Sequence, residues 1–491
     1  MLHTLRFILF PVLHVLGPTL MWFGAAMFVP LATSWTQADG MFDAFTKAIG
    51  AAELCGLVLT LGFRPFRREL SVHHGFLLVT LTWTLVPVFS AIPLYLHLPE
   101  YGFTRCYFEM MSCLTTTGST VIAGLDALPL SLNGWRCFLS WLGGMGLIVL
   151  SVAVLPLLGV GGAQIIKAEL SGPLKETKLT PRIAETARAL YIIYFGISVV
   201  CTIAYHLAGM HWEDAVMLMM TTVSLSGIAP HDANFAYFNS APIQTVAIIF
   251  MVICGCNFSL HFVVWRHRNP IFYLRDPETR AWLLTLVAMI AAITLALLHL
   301  GVYKNPSAAF LDVAFAVVAS ASTTGYTTVD YSLWPYGIPF LLLFSAAFAS
   351  CAGSTGGGIK MIRLIILVKQ TLREFRHLLY PNAVLPITVG RQPVNNELAS
   401  AVMAYAILWM FSSFAGTFVM IATGMPPLEG FSATIASITN LGPGLGAVGP
   451  VGTYANLSDL QLSILSFFML IGRLELFTVF ILFTRSFWKT W

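Results

Sequence analysis

Long uncharged stretches alternate with short cationic segments along the chain. Stretches able to cross a bilayer fall at 7–31, 75–97, 137–161, 189–210, 241–265, 281–303, 334–359 and 398–428, each near or above the roughly 20 apolar residues a membrane helix needs. A weaker stretch at 44–63 carries Lys47 and Glu53, and the last, at 458–484, is interrupted by Arg473 and Glu475. The pattern predicts an all-α integral membrane protein with ten transmembrane spans.

Composition narrows the function classes. Of 491 residues, 57% are hydrophobic and only 10% charged, which excludes a soluble multidomain enzyme. A net charge of +4 over this length offers no basic face that could track phosphates, so no nucleic-acid partner is expected. The eight cysteines form no CxxC and have no histidine at zinc spacing. None of the twelve histidines has another three or four residues away. Residues 7–31 are too long for a signal-peptide core, and no small-residue cleavage site follows, so they are expected to be a retained first span.

Orientation follows from lysine and arginine. With both termini cytoplasmic, the inner segments hold 20 of the 26 cationic residues. Lys47, Arg105, Arg136 and Lys304 are left outside, and Lys360 and Arg473 fall within apolar segments. The flipped topology would put nearly all cationic loops outside.

Four shorter apolar segments on the outer side share one design. They read Thr104-RCYFEMMSCLTTT-Gly118, Glu213-DAVMLMMTTVSLS-Gly227, Leu311-DVAFAVVASASTT-Gly325 and Leu428-EGFSATIASITNL-Gly442. Thirteen positions before the glycine stands Asp214, Asp312 or Glu429, and Arg105 in the first copy. The glycines are 109, 98 and 117 residues apart, and each segment lies between two spans, which makes a fourfold internal repeat. About thirteen helical residues rise ~20 Å, too little to cross the hydrocarbon, so each segment must re-enter and stop within the protein. An acid at the helix start suits the positive end of its dipole, and the opposite end then favours a cation. Glycine at the turn lets carbonyls aim at a common axis, where four such loops can replace an ion's water shell. A single Thr-Thr-Gly would be ordinary turn chemistry. Four in register point to a cation-selectivity filter built in one chain.

These residues resemble the bacterial Trk/Ktr potassium-transporter superfamily, in its TrkH/TrkG branch. The resemblance covers essentially the whole chain. It rests on LTTTGST (114–120), WLGGMGLIVL (141–150), LPLLGVGG (155–162), PRIAETA (181–187) and SGIAPHDANFAYF (226–238). ASTTGYTT (321–328), CAGSTGGGIKMIR (351–363), NLGPGLG (440–446) and GRLELFT (472–478) continue it. It implies four M1–P–M2 pseudo-repeats around one central pore, preceded by two N-terminal helices. In this chain those units would be 1–70 for the two helices, then 71–165, 166–270, 271–378 and 379–491. It also implies potassium uptake through a bacterial inner membrane, with K+ as the transported ion and no permanently bound cofactor. A homodimer and a cytosolic TrkA-like gating ring binding NAD(H), ATP or ADP come with it. The ion-coordinating positions would be Thr116, Thr117 and Gly118; Leu225, Ser226 and Gly227; Thr323, Thr324 and Gly325; and Asn440, Leu441 and Gly442. Copies two and four depart from Thr-Thr-Gly, so the filter would be asymmetric. Because backbone carbonyls do most of the work, Leu can stand at such a position.

Two features lie lower in the membrane. The segment with Gly353, Gly356, Gly357, Gly358 and Lys360 interrupts a span, and its three consecutive glycines each cost about 1 kcal/mol in a helix. It is expected to unwind into an intramembrane loop below the filter, in line with the family's gate. It is no phosphate loop, since Lys360 is followed by Met361, and GLGAVG at 444–449 lacks the strand–helix context of a dinucleotide site. Arg473, central in the last span, costs about 2.5–3.5 kcal/mol there unless it faces a cavity or the bundle interior. It reads as a cationic plug touching the glycine loop, or alternatively as one half of a structural salt bridge with Glu475 or another acid. The inner segments 162–188, 266–280 and 370–397 are too short for domains and would dock the regulatory ring. A membrane enzyme would need clustered Asp or His, absent here, and inverted repeats do not fit units that each contribute two spans. The remaining alternative is a less selective sodium/potassium or proton-coupled cation transporter.

Overall fold

Backbone buried in hydrocarbon must bond to itself, and the apolar stretches meet that demand as helices. The structure, a computed structural model, describes residues 5–68, 70–149, 183–348, 350–390 and 392–488. LPLLGVGG and most of the segment 162–188, with Lys167, Lys175, Lys178 and Arg182, lie outside them. So do residues 150–161, nearly half of the expected span 137–161, and Lys489.

Helices α1 (Phe10–Ala26) and α2 (Phe28–Gln37) run on as one apolar span, Arg6–Gln37, and α3 (Phe42–Gly62) packs back along α1. The approach is close: a Cβ on Gly56 would lie 2.7 Å from Gly17 O, the small-residue packing that membrane helices favour.

Beyond them the chain alternates long outer helices with short inner ones. The first set is α4 (Val72–Ser90) with its extension α5 (Ile92–His97), then short α6 (Gly102–Leu114) and α7 (Leu130–Val149). Next come α8 (Ile183–Leu207), short α9 (Trp212–Ser224), and α10 (Ala241–Gly255) with α11 (Phe258–His267). A single-turn α12 (Ile271–Arg275) leads to α13 (Pro277–His299), short α14 (Pro306–Ala321), α15 (Ile338–Phe348) and α16 (Met361–Leu379). A small antiparallel hairpin, β1 (Ile387–Val389) and β2 (Gln392–Val394), pairs Ile387 with Val394. The last set is α17 (Asn396–Ala422), short α18 (Pro427–Thr439), α19 (Asp459–Arg473) and α20 (Leu476–Phe480).

Six helices among the described residues are long and apolar enough to cross a membrane, or up to eight if each of two bent pairs counts as one span. The bends are 95° between α10 and α11 and 114° between α19 and the helical stretch after it. The expected span 334–359 is an 11-residue helix, α15, followed by non-helical backbone. Large apolar side chains such as Trp22, Leu295, Val287 and Phe418 remain exposed, as a lipid-facing surface requires. Polar burial is instead concentrated inside, on the short helices and the turns after them.

Local chemistry sets one helix start differently from expectation. Helix α14 begins six residues before Asp312, because Pro306 suits the first turn and Asn305 Oδ1 accepts from Ser307 N at 3.0 Å. Asp312 therefore lies beyond the first turn and accepts from Tyr303 Oη at 3.0 Å. Asp214 and Glu429 do fall in the first turns of α9 and α18. Arg136, counted above with the outer cations, is wholly buried on α7.

Candidate functional site

The turns that follow α6, α9, α14 and α18 have one backbone conformation. Thr116, Leu225, Thr323 and Asn440 have φ of 52°, 55°, 60° and 55°. Two residues on, Gly118, Gly227, Gly325 and Gly442 have φ of 89°, 72°, 76° and 97°. Between them, the amides of Thr117, Ser226, Thr324 and Leu441 donate to Ser112, Thr221, Ala319 and Ala436 carbonyls at 2.8, 2.9, 2.9 and 2.8 Å. This is a helix C-terminal turn in which a left-handed residue lets the chain bond back across the last helical carbonyls. Three side-chain types adopt it, at about 1–2 kcal/mol of backbone strain for each non-glycine residue. Strain repeated four times at one place marks a constraint beyond stability.

The four turns touch in a closed cycle. A Cβ on Gly118 would strike Ser226 O; one on Gly227, Thr324 O; one on Gly325, Leu441 O. The cycle closes at Gly442, whose Cβ would stand 2.6 Å from Thr117 O. Only glycine permits this approach.

Several side chains beside the ring are engaged with one another. Thr115 and Thr117 hydroxyls bond at 2.7 Å, and Ser322 and Thr324 hydroxyls at 2.6 Å. Ser226 donates to Ser140 Oγ at 3.0 Å, and Asn440 Nδ2 donates to Thr117 Oγ1 and Met469 O, each at 3.0 Å.

Above the ring, a polar mouth is lined by Ser119, Thr120, Pro443, Tyr454, His231 and Asp232, among others. His231 bridges Asp126 through Nδ1 at 2.5 Å and Asp214 through Nε2 at 3.2 Å. Burial alone would lower its pKa, but the bonds to Asp214 and Asp126 outweigh that and raise it above 6.5. The bond from His231 in turn holds the Asp126 carboxyl below its ordinary range.

Below the ring, residues 350–360 form a buried non-helical loop. It contacts the base of three turns: Thr355 Oγ1 donates to Val223 O at 3.0 Å, Gly357 N to Thr323 Oγ1 at 2.7 Å, and a Cβ on Gly357 would strike Thr439 O. A Cβ on Gly356 would lie 2.8 Å from Ser322 O, while Gly353, Gly358 and Lys360 have φ of 69°, 75° and 75°. The glycines thus serve close approach at two positions and left-handed backbone at two others. Lys360 Nζ turns back onto Gly356 O within the same loop.

Arg473 ends α19 beside this loop. Its Nη1 donates to Thr355 O at 2.9 Å and its Nη2 to Gly143 O at 3.3 Å, with Trp83's ring 6.0 Å from the guanidinium carbon. Glu475 instead pairs with Arg363 at 2.8 Å.

Sequence reasoning missed the residues that hold these parts in place. Glu278 Oε1 accepts from Ala352 N at 2.7 Å and Ile362 N at 3.1 Å, so it ties both ends of the loop to the start of α13. At the 95° break, Phe258 N donates to Gly353 O and Cys351 N to Gly255 O, both at 3.0 Å. Glu109 and Arg136 pair behind the first turn at 2.7 Å. An isolated carboxylate within the apolar run FEMMSC was the available signal for Glu109.

A bundle of lipid-facing helices around a buried ring of polar backbone defines a membrane transport protein. A family model described as TrkH, cation transport protein, matches residues 43–490. The chain belongs to the TrkH family of cation transport proteins, transporters and not enzymes. It is 41% identical to the Trk system potassium uptake protein TrkH of Halomonas elongata over 97% of this chain and 99% of that protein. To TrkH of Escherichia coli K12 it is 40% identical over 97% and 98%, and to TrkG of the same organism 36% over 86% and 87%. The crystal structure of the potassium transporter TrkH from Vibrio parahaemolyticus superposes with a TM-score of 0.90 at 37% identity, covering 98% of this chain and all of that one.

Proposed function

We propose that this chain takes up potassium across the bacterial inner membrane through the four-turn ring, with K+ as cargo. The observation that carries the reading is the closed cycle of glycine-to-carbonyl contacts, Gly118 to Gly227 to Gly325 to Gly442 and back. Backbone carbonyls of Thr116, Thr117, Leu225, Ser226, Thr323, Thr324, Asn440 and Leu441 replace the ion's hydration shell. The shared left-handed geometry at Leu225 and Asn440 supports counting them with the threonines. Four M1–P–M2 units, 71–165, 166–270, 271–378 and 379–491, surround one central pore, with 1–70 as two added helices. Ten spans with both termini cytoplasmic fit the lysine and arginine distribution.

The loop of Gly353, Gly356, Gly357, Gly358 and Lys360, with Arg473, is the gate. Its contacts with the base of three turns support a closed pore in this conformation. A cytosolic TrkA-like ring binding NAD(H), ATP or ADP moves it, docking on 266–280 and on 370–397, where α16 carries Arg373 and Arg376. The working unit is a homodimer. A potassium-uptake-deficient bacterium expressing this chain should regain growth at low potassium, and Gly227→Ala should weaken the rescue. Equal rescue by both would remove the ring from the mechanism. The asymmetry at Leu225 and Asn440 favours, as the second reading, a pore that also passes sodium.

A further inference from the structure

Glu109 and Arg136 form an ion pair in which the side chains are 0% and 1% exposed. Burying two charges is costly unless their geometry and remaining hydrogen bonds are well satisfied. Here they are satisfied by the outer ends of the ring turns. Glu109 Oε1 accepts from Arg136 Nε at 3.0 Å and Nη2 at 2.7 Å. Its Oε2 accepts from Thr120 Oγ1 at 3.0 Å and from Val121 N at 2.9 Å, on the segment that follows Gly118.

Arg136 reaches the second turn. Its Nη1 donates to Ala229 O at 3.4 Å and to Asn133 Oδ1 at 2.8 Å, while Asn133 Nδ2 donates to Pro230 O at 2.7 Å. The fourth turn joins through Tyr454, whose amide donates to Thr120 O at 2.9 Å and whose hydroxyl donates to Gly442 O at 2.8 Å. Arg136 also borders the outer mouth, where an unneutralised guanidinium would repel an arriving cation.

We propose that Glu109 and Arg136 are positioning residues for selectivity: the pair holds the outer ends of turns one and two directly and turn four through Tyr454, and so sets discrimination between potassium and sodium. The proposal rests on reading the ring as the filter. Potassium and sodium differ in radius by a fraction of an ångström, so the number and direction of carbonyls facing the ion decide between them. Charge-assisted bonds on turns one and two, carried on to turn four by the neutral bonds of Tyr454, resist the small shifts that would admit the smaller ion.

The test is rubidium against sodium flux in liposomes containing the purified protein. Glu109→Gln and Arg136→Gln should lower the rubidium-to-sodium ratio by about tenfold while flux persists, and Glu109→Asp should recover part of it. Because either single change strands a buried charge, the double variant Glu109→Gln with Arg136→Met is the stricter case. It should fold and still lose discrimination. A double variant with a ratio within about twofold of wild type overturns the proposal, since the pair then only supports the fold. A double variant that cannot be recovered folded overturns it as well. Gly227→Ala runs in parallel: if it leaves the ratio unchanged, the filter reading itself fails. If Gly227→Ala lowers the ratio and the double variant does not, only the role of the pair falls.

Discussion

Replacing Arg473 with alanine removes the bond from its Nη1 to Thr355 O and from its Nη2 to Gly143 O, at 2.9 and 3.3 Å. Only the first lies on the glycine loop. A hydrogen bond to a charged group contributes about 1.5–3 kcal/mol, and each 1.4 kcal/mol is tenfold in an equilibrium, so the docked loop loses roughly 10- to 150-fold in its favour. Losing the cation also removes a repulsive charge from the path. The ring should stay intact, because the guanidinium donates to Thr355 O and Gly143 O, neither of them in a ring residue. Arg473→Ala should therefore raise rubidium flux into liposomes severalfold to a hundredfold without changing the rubidium-to-sodium ratio. Arg473→Lys keeps the charge but not the two-pronged reach, and should fall between. Unchanged or abolished flux in folded Arg473→Ala protein would refute the plug, and a changed ratio would refute its separation from the ring.

Gly227→Ala forces a methyl group into Thr324 O at a φ of 72°; left-handed backbone alone costs about 1–2 kcal/mol, so the flux ratio should fall about tenfold. Glu278→Gln weakens the bonds to Ala352 N and Ile362 N, so basal flux should rise with the ratio unchanged, and unaltered flux would remove Glu278 from control of the loop. At the mouth, His231 contributes stability that is fully present below its ordinary value of 6.5 and is lost as pH rises through its raised folded value. The thermal midpoints of wild type and His231→Asn should accordingly differ more at about pH 6 than at about pH 9.

The four glycine turns were legible because each needs the same local signals: a short apolar helix, a hydroxyl-rich end and a glycine. Leu225 and Asn440 hid that regularity in composition, yet their backbone angles are those of Thr116 and Thr323. The unwound glycine loop was legible for the same reason, since three glycines cannot pack as ordinary helix. What the sequence concealed was long-range pairing. Glu109 and Arg136 are 27 positions apart, and Glu278 meets Ala352 and Ile362 across 74 and 84 positions. Arg136 looked like an outer-loop cation because a one-dimensional charge count sees position and not partner. A salt bridge between Arg473 and Glu475 was the alternative reading because they are close in sequence, but the chain breaks after α19 and Glu475 pairs with Arg363. Hydropathy likewise reads straight through the 95° and 114° bends, where Phe258 and Glu475 bond to Gly353 and Arg363 far along the chain.

The most direct test of the central claim is rubidium and sodium flux across an imposed gradient in liposomes holding only this protein, with Arg473→Ala to relieve the closed loop. Rubidium should pass well ahead of sodium, and Gly118→Ala, Gly227→Ala, Gly325→Ala and Gly442→Ala should each erode that preference. Equal passage of the two ions through the unaltered ring would contradict the account.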